Sequence, residues 1–132
     1  MFTPINFDSG RTVSLKMAAS STVAKGDALE FASGYVQRAD ASTAEVRYIA
    51  LEAKTTAGGE NPEILCLEVS GVRFEGDTAG NTSQALVGTK VDLTDHDTIN
   101  QAASTTDIFF VEAIVGAAAN RKVQGFFVKK EA

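Results

Sequence analysis

Residues 63–75 read Glu-Ile-Leu-Cys-Leu-Glu-Val-Ser-Gly-Val-Arg-Phe-Glu, and the apolar pattern changes phase partway along. Leu65, Leu67 and Val69 stand at odd positions, whereas Val72 and Phe74 stand at even ones. Strand side chains alternate faces with period two, so one regular strand cannot keep all five on one side. The reversal falls at Ser70-Gly71, where the glycine permits a bulge or a sharp bend. A sheet bent in mid-strand curls over itself. The pattern predicts a small barrel or a strongly bent sandwich and disfavours a flat sheet.

The remaining chain supplies short β-rich runs separated by turn residues. Lys25-Gly26-Asp27 is a turn, residues 28–31 form a strand, and Ser33-Gly34 is a hairpin turn into residues 35–38. Residues 48–53 form the next strand, and residues 55–62, with Gly58-Gly59, an exposed loop. Residues 76–88 read as a loop with one helical turn near Thr82 to Leu86. Residues 90–93 form a short strand, residues 95–106 a polar connection, and residues 108–115 and 122–128 two closing strands. About eight strands and almost no helix imply an all-β domain.

Residues 1–22 differ from this pattern. Pro4, Asn6, Asp8, Ser9 and Gly10 interrupt Phe2, Ile5 and Phe7, so no regular element is expected through them. Residues 12–17 then alternate polar and apolar side chains, as a half-buried strand does. Two forms fit the segment: an arm tethered to a domain of residues 23–132, or an ordinary first strand of the domain's own sheet.

Length and composition place these elements in one ordinary domain. A chain of 132 residues buries roughly two-thirds of its unfolded surface and can hold a core without disulfides or metal. Twenty alanines make the layers thin, so the eight phenylalanines must anchor the packing. Twelve basic residues against 17 acidic ones give a net charge of −5, with no basic stripe to grip phosphates, so no nucleic-acid partner is expected. Cys66, the single cysteine, lies in an apolar run and reads as a buried thiol. The N-terminus lacks the basic and apolar regions of a signal peptide, and no run approaches the roughly 20 apolar residues of a membrane span. Cytoplasmic synthesis with no membrane partner is the expectation, and the Asn81-Thr82-Ser83 sequon is a chance match.

The chemistry-bearing residues form weak patterns. His96 lies in Asp92-Leu93-Thr94-Asp95-His96-Asp97, the one patch resembling a metal site, but it lacks the central glycine and closing glutamate of a calcium loop. A solvated turn accounts for it better. No serine sits in a Gly-x-Ser-x-Gly elbow to use His96 as a base. The two-glycine spacing at Gly71 and Gly76 is followed by Asp77, which would repel phosphate. Glu30, Glu52, Glu68 and Glu75 alternate with apolar neighbours and read as solvent-facing strand residues. The expectation is a non-enzyme without metal or cofactor.

Lys25-Gly26-Asp27, Gly34-Tyr35-Val36, Tyr48-Ile49-Ala50-Leu51 and Val69-Ser70-Gly71-Val72 occur in an order that resembles the small capsid decoration, or cement, proteins of tailed bacteriophages. The resemblance covers residues 23–74. It departs at Ala50-Leu51, where the family more often has a glycine, and the C-terminal half extends beyond the shortest members. It implies a non-enzymatic virion protein, made in the host cytoplasm, that binds the outer capsid surface and stabilises the head. The implied partners are the major capsid protein and further copies of the chain, in homotrimers among many members. The implied capsid-binding residues are those of an N-terminal arm that adds a strand to the capsid: Phe2, Ile5, Phe7, Val13, Leu15 and Met17. A different class also fits, a carbohydrate- or receptor-binding virion appendage, for which Tyr35, Tyr48 and the 55–62 loop are the candidate contacts.

Overall fold

A computed structural model describes residues 1–6 and 10–130. The chain is all-β, with thirteen short strands: β1 (Thr3–Pro4), β2 (Thr12–Lys16), β3 (Thr22–Val23), β4 (Ala28–Ala32), β5 (Tyr35–Arg38), β6 (Tyr48–Ala50), β7 (Lys54–Thr55), β8 (Glu63–Glu68), β9 (Phe74–Thr78), β10 (Lys90–Leu93), β11 (Thr98–Asn100), β12 (Phe109–Ile114) and β13 (Lys122–Phe127). Two single 3-10 turns, Gln84–Leu86 and Ala118–Asn120, are the helical elements among the described residues.

Five strands close a barrel in the order β9-β11-β10-β12-β13, with β13 returning to pair with β9. Only the β9–β11 pair is parallel. β1 lies beside β9, pairing Thr3 with Glu75 and Pro4 with Phe74. Closure removes the barrel's sheet edges, which would otherwise be open to other chains. Phe2, Phe74, Phe109 and Phe127 fill its interior. The Phe127 ring meets those of Phe2, Phe74 and Phe109 edge-on at 4.8, 5.3 and 5.2 Å between centroids. Burying a phenylalanine stabilises by about 1.5–3 kcal/mol, so half the chain's phenylalanines concentrate their contribution here.

A second sheet runs β2-β8-β6-β4-β5 and curls until Met17 forms a parallel bridge with Val36. Met17, Val23, Leu29, Val36, Ala50, Ile64 and Cys66 pack inside this curl. Its opposite face contributes Ala28, Ile49 and Leu67 to the barrel's core. The β4–β5 hairpin turns at Ser33 and Gly34, both at positive φ (52° and 87°), the handedness that matches twisted antiparallel strands.

The phase reversal at Ser70-Gly71 marks a turn between sheets instead of a bend within one strand. β8 ends at Glu68 in the second sheet, and β9 begins at Phe74 in the barrel. Val72 donates its N–H to the Val69 carbonyl across this turn, and Gly71 adopts φ +75°. Both apolar phases reach the same core, since Leu67, Val72 and Phe74 share one cluster.

Other elements also differ from expectation. The run at 48–53 breaks after Ala50, and β7 pairs separately with β3. β9 continues to Thr78 because Gly76 lets the Phe2 ring lie against its backbone; a Cβ there would stand 2.9 Å from Phe2 Cε1. The polar 95–106 connection contains β11, whose fully buried Ile99 belongs to the barrel core. Residues 3–4 and 12–16 do run extended, but along the domain's own strands. β1 pairs with β9 despite Pro4, and β2 pairs with β8 from Thr12↔Leu67 to Lys16↔Glu63.

Candidate functional site

The residues expected to bind a capsid separate into three groups. Phe2 and Met17 are fully buried, one in each core, and cannot meet a partner without unfolding. Val13 and Leu15 point into the second sheet's curl and are half-buried. Ile5 is 50% exposed. Phe7 lies outside the described residues.

What these residues build together is an edge. In the β2–β8 register, Arg11, Val13, Leu15 and Met17 direct their backbone groups toward β8. Met17 N–H bonds the Pro62 carbonyl, and Glu68 N–H bonds that of Arg11. Thr12, Ser14 and Lys16 therefore direct their N–H and C=O groups outward. Among the described residues no backbone bond reaches these three, whereas Ala18, next in the outward series, donates to the Val36 carbonyl. Leu65, opposite Ser14, adds a 40% exposed side chain beside this edge.

His96 stands in a cluster that its sequence neighbours do not reveal. Asp27, almost completely buried, places Oδ1 3.0 Å from His96 Nδ1. Its Oδ2 accepts the Ala24 N–H at 2.8 Å and the Arg38 Nε–H at 2.9 Å. Asp97 completes a set whose ligand atoms lie within 4.8 Å of one another. Every Asp27 acceptor faces a donor already in place, and Arg38 supplies the positive charge that a cation would bring. The group is a structural clasp: Asp27 leads into β4 of the second sheet, and His96 sits in the turn between β10 and β11 of the barrel. The turn glycine before Asp27 signals a tight approach, but nothing in the sequence pairs that aspartate with a histidine 69 positions away.

A cleft of about 570 Å3 runs where the barrel meets the second sheet, lined by Glu45, Arg47, Tyr48, Glu68, Arg73 and Phe126 among others. Tyr48 is the one aromatic named from the sequence that reaches it; Tyr35 does not line it, nor does the 55–62 loop. Phe126 stacks on Phe110 with centroids 5.0 Å apart and planes at 20°, and the Arg73 guanidinium lies 5.7 Å from its centroid. Tyr48 is held edge-on by Phe31 at 5.8 Å. The two adjacent phenylalanines alternate across β13: Phe127 packs in the core and Phe126 stacks on Phe110, and both residues line this cleft.

Among the described residues no helix is long and apolar enough to cross a membrane. Comparison of the chain with protein families, with curated proteins and with solved structures gave no match.

Proposed function

We propose that this chain is a non-enzymatic structural protein that binds the outer surface of an assembled phage capsid and stabilises it, through strand addition at β2. The observation that carries the reading is the outward row of backbone groups at Thr12, Ser14 and Lys16, with Leu65 exposed beside it. Strand addition draws its affinity from main-chain hydrogen bonds and its specificity from the flanking side chains. The edge is already folded and anchored, so little ordering free energy opposes docking. The order of turn and strand motifs in residues 23–74 supports the same reading. The capsid contact moves from a detached arm to this docked edge, because Phe2 and Met17 are committed to the cores.

The test mixes purified protein with expanded and unexpanded capsids of the phage that encodes it and counts the copies bound. Saturable binding to expanded capsids, with a higher temperature of capsid disruption, is expected. Ser14→Pro removes an outward N–H without touching the bonds to β8, and should weaken binding about tenfold or more while leaving the fold intact. Absence of saturable binding to either capsid form would overturn the reading.

A further inference from the structure

We propose that the cleft between the barrel and the second sheet binds a neutral oligosaccharide. The inference is independent of the capsid reading and stands on how the cleft's groups are paired. Four of the five charged side chains on its lining are already matched, Arg73 with Glu112, Arg47 with Glu45 at 3.1 Å, and Glu68 with Arg11 at 2.5 Å; the fifth, Lys129, is exposed. A cationic ligand, or an anionic one held by the two arginines, would have to displace one of these partners. A neutral polyhydroxyl ligand would not.

What the pairs leave on the cleft wall is a set of oriented donors and acceptors. The guanidinium groups donate, the carboxylates accept, and the Tyr48 hydroxyl does both. Of the three aromatic residues on the lining, Phe127 is buried in the core and Tyr48 and Phe126 are half-buried. Each of these last two rings is braced by a second ring outside the cleft, Phe31 for Tyr48 and Phe110 for Phe126. A hexopyranose presents the matching chemistry: an apolar C–H face that packs on a ring, and an edge of hydroxyls that need donors and acceptors together. The cleft's volume falls in the ~300–1,000 Å3 range of small-ligand sites. The bracing matters for affinity, since rings that do not have to be ordered on binding cost little entropy.

The chain has no tryptophan and two tyrosines, so tyrosine emission reports on Tyr48 alone in a Tyr35→Phe variant. The full chain is titrated with maltohexaose, cellohexaose and N-acetylchitohexaose, followed by fluorescence and calorimetry. Saturable binding of at least one, with a dissociation constant of about 0.1–1 mM, is expected. Affinity should be nearly unchanged between about 50 and 500 mM salt, because no net charge is neutralised. Phe126→Ala and Arg73→Gln should each weaken binding about tenfold. Circular dichroism melts check that each is folded, and if Phe126→Ala is not, Arg73→Gln alone decides. Failure of all three saccharides to saturate overturns the proposal, as does affinity unmoved by the folded variants. Binding of a hyaluronan hexasaccharide, titrated alongside them, that is lost in salt while the neutral three do not bind overturns it too. Ser14→Pro protein should keep its saccharide affinity, which separates this site from the capsid edge.

Discussion

Asp27 Oδ1 lies 3.0 Å from His96 Nδ1, and that contact joins the second sheet to the closed barrel across 69 residues of chain. A backbone bond runs parallel to it, from Ala28 N–H to the His96 carbonyl at 2.7 Å. The carboxylate also holds the Ala24 N–H and Arg38, so one buried group fixes the turn before β4, the end of β5 and the β10–β11 turn together. Asp27→Ala leaves three donors short of an acceptor and should destabilise by about 2–4 kcal/mol. His96→Ala, which removes a 26% exposed side chain and with it one of the partners of Asp27, should cost about 1 kcal/mol. Urea unfolding of the two variants and the double mutant measures the coupling. Equal losses for both single variants would contradict the hub role of Asp27.

Asp92 contributes to the acid side of stability, alongside Asp40, Asp77 and Asp95, whose carboxyls are also held low. Burial disfavours its charge, but backbone N–H groups of Thr105, Asp107 and Thr106 donate to it at 2.8–2.9 Å and hold its carboxyl below the usual range. A carboxyl whose folded value is depressed contributes stability that is fully present above its unfolded value, about 3.9, and is lost as pH falls through the folded value. Stability in urea should therefore be level from neutral pH to about pH 5 and fall below about pH 4. Asp92→Asn should lower neutral-pH stability by about 1–3 kcal/mol and flatten the acid limb. An acid limb identical to that of the unsubstituted chain would count against this origin.

Cys66 should be chemically silent in the native protein. Burial, with the Glu52 carboxylate adding to it, pushes its thiol up to about 12. The thiolate is the reactive form, and at neutral pH it is a vanishing fraction. Alkylation by iodoacetamide should follow global unfolding, accelerating only as denaturant approaches the unfolding midpoint. Rapid modification under native conditions would show that the second sheet opens locally.

Gly125 lies on β13 opposite Val111 of β12, beside the register shift between Val111 and Ala113. A Cβ at Gly125 would fall 1.9 Å from the Phe110 carbonyl oxygen, a backbone atom with no room to move. Gly125→Ala should destabilise by more than about 3 kcal/mol or prevent folding, whereas Gly80→Ala meets only the flexible Gln101 side chain and should cost far less. Thermal melts of the two variants settle the comparison.

The residues made the class of fold legible. Period-two alternation at Thr12–Lys16, Ala28–Ala32 and Tyr35–Arg38, cut by Ser33-Gly34 and Gly26, gives strands whose bounds nearly coincide with those observed. The broken phase at Ser70-Gly71 located a real change of direction but not its nature, because a bulge and a turn between sheets leave the same local pattern. β1 and β11 escaped notice for a related reason. Thr3-Pro4 and Thr98-Ile99-Asn100 are too short and polar to carry a period, and they are strands because distant neighbours pair with them, β9 with β1 and both β9 and β10 with β11.

The candidate sites were less legible than the fold. Phe2 and Met17 look from the sequence like the sticky residues of an arm, and tertiary packing turns them into core. Asp27 looks like a turn residue and becomes the clasp. Phe126 looks like its neighbour Phe127 and faces the other way. What the sequence by itself determined is the all-β class, the turn positions and the need for a curled sheet, since these follow from backbone sterics and a two-residue period acting locally. Which strands pair, which apolar side chains are buried and which edge stays open were decided by the tertiary structure. Those choices depend on contacts between residues tens of positions apart, whose free energy exists only once both partners are in place.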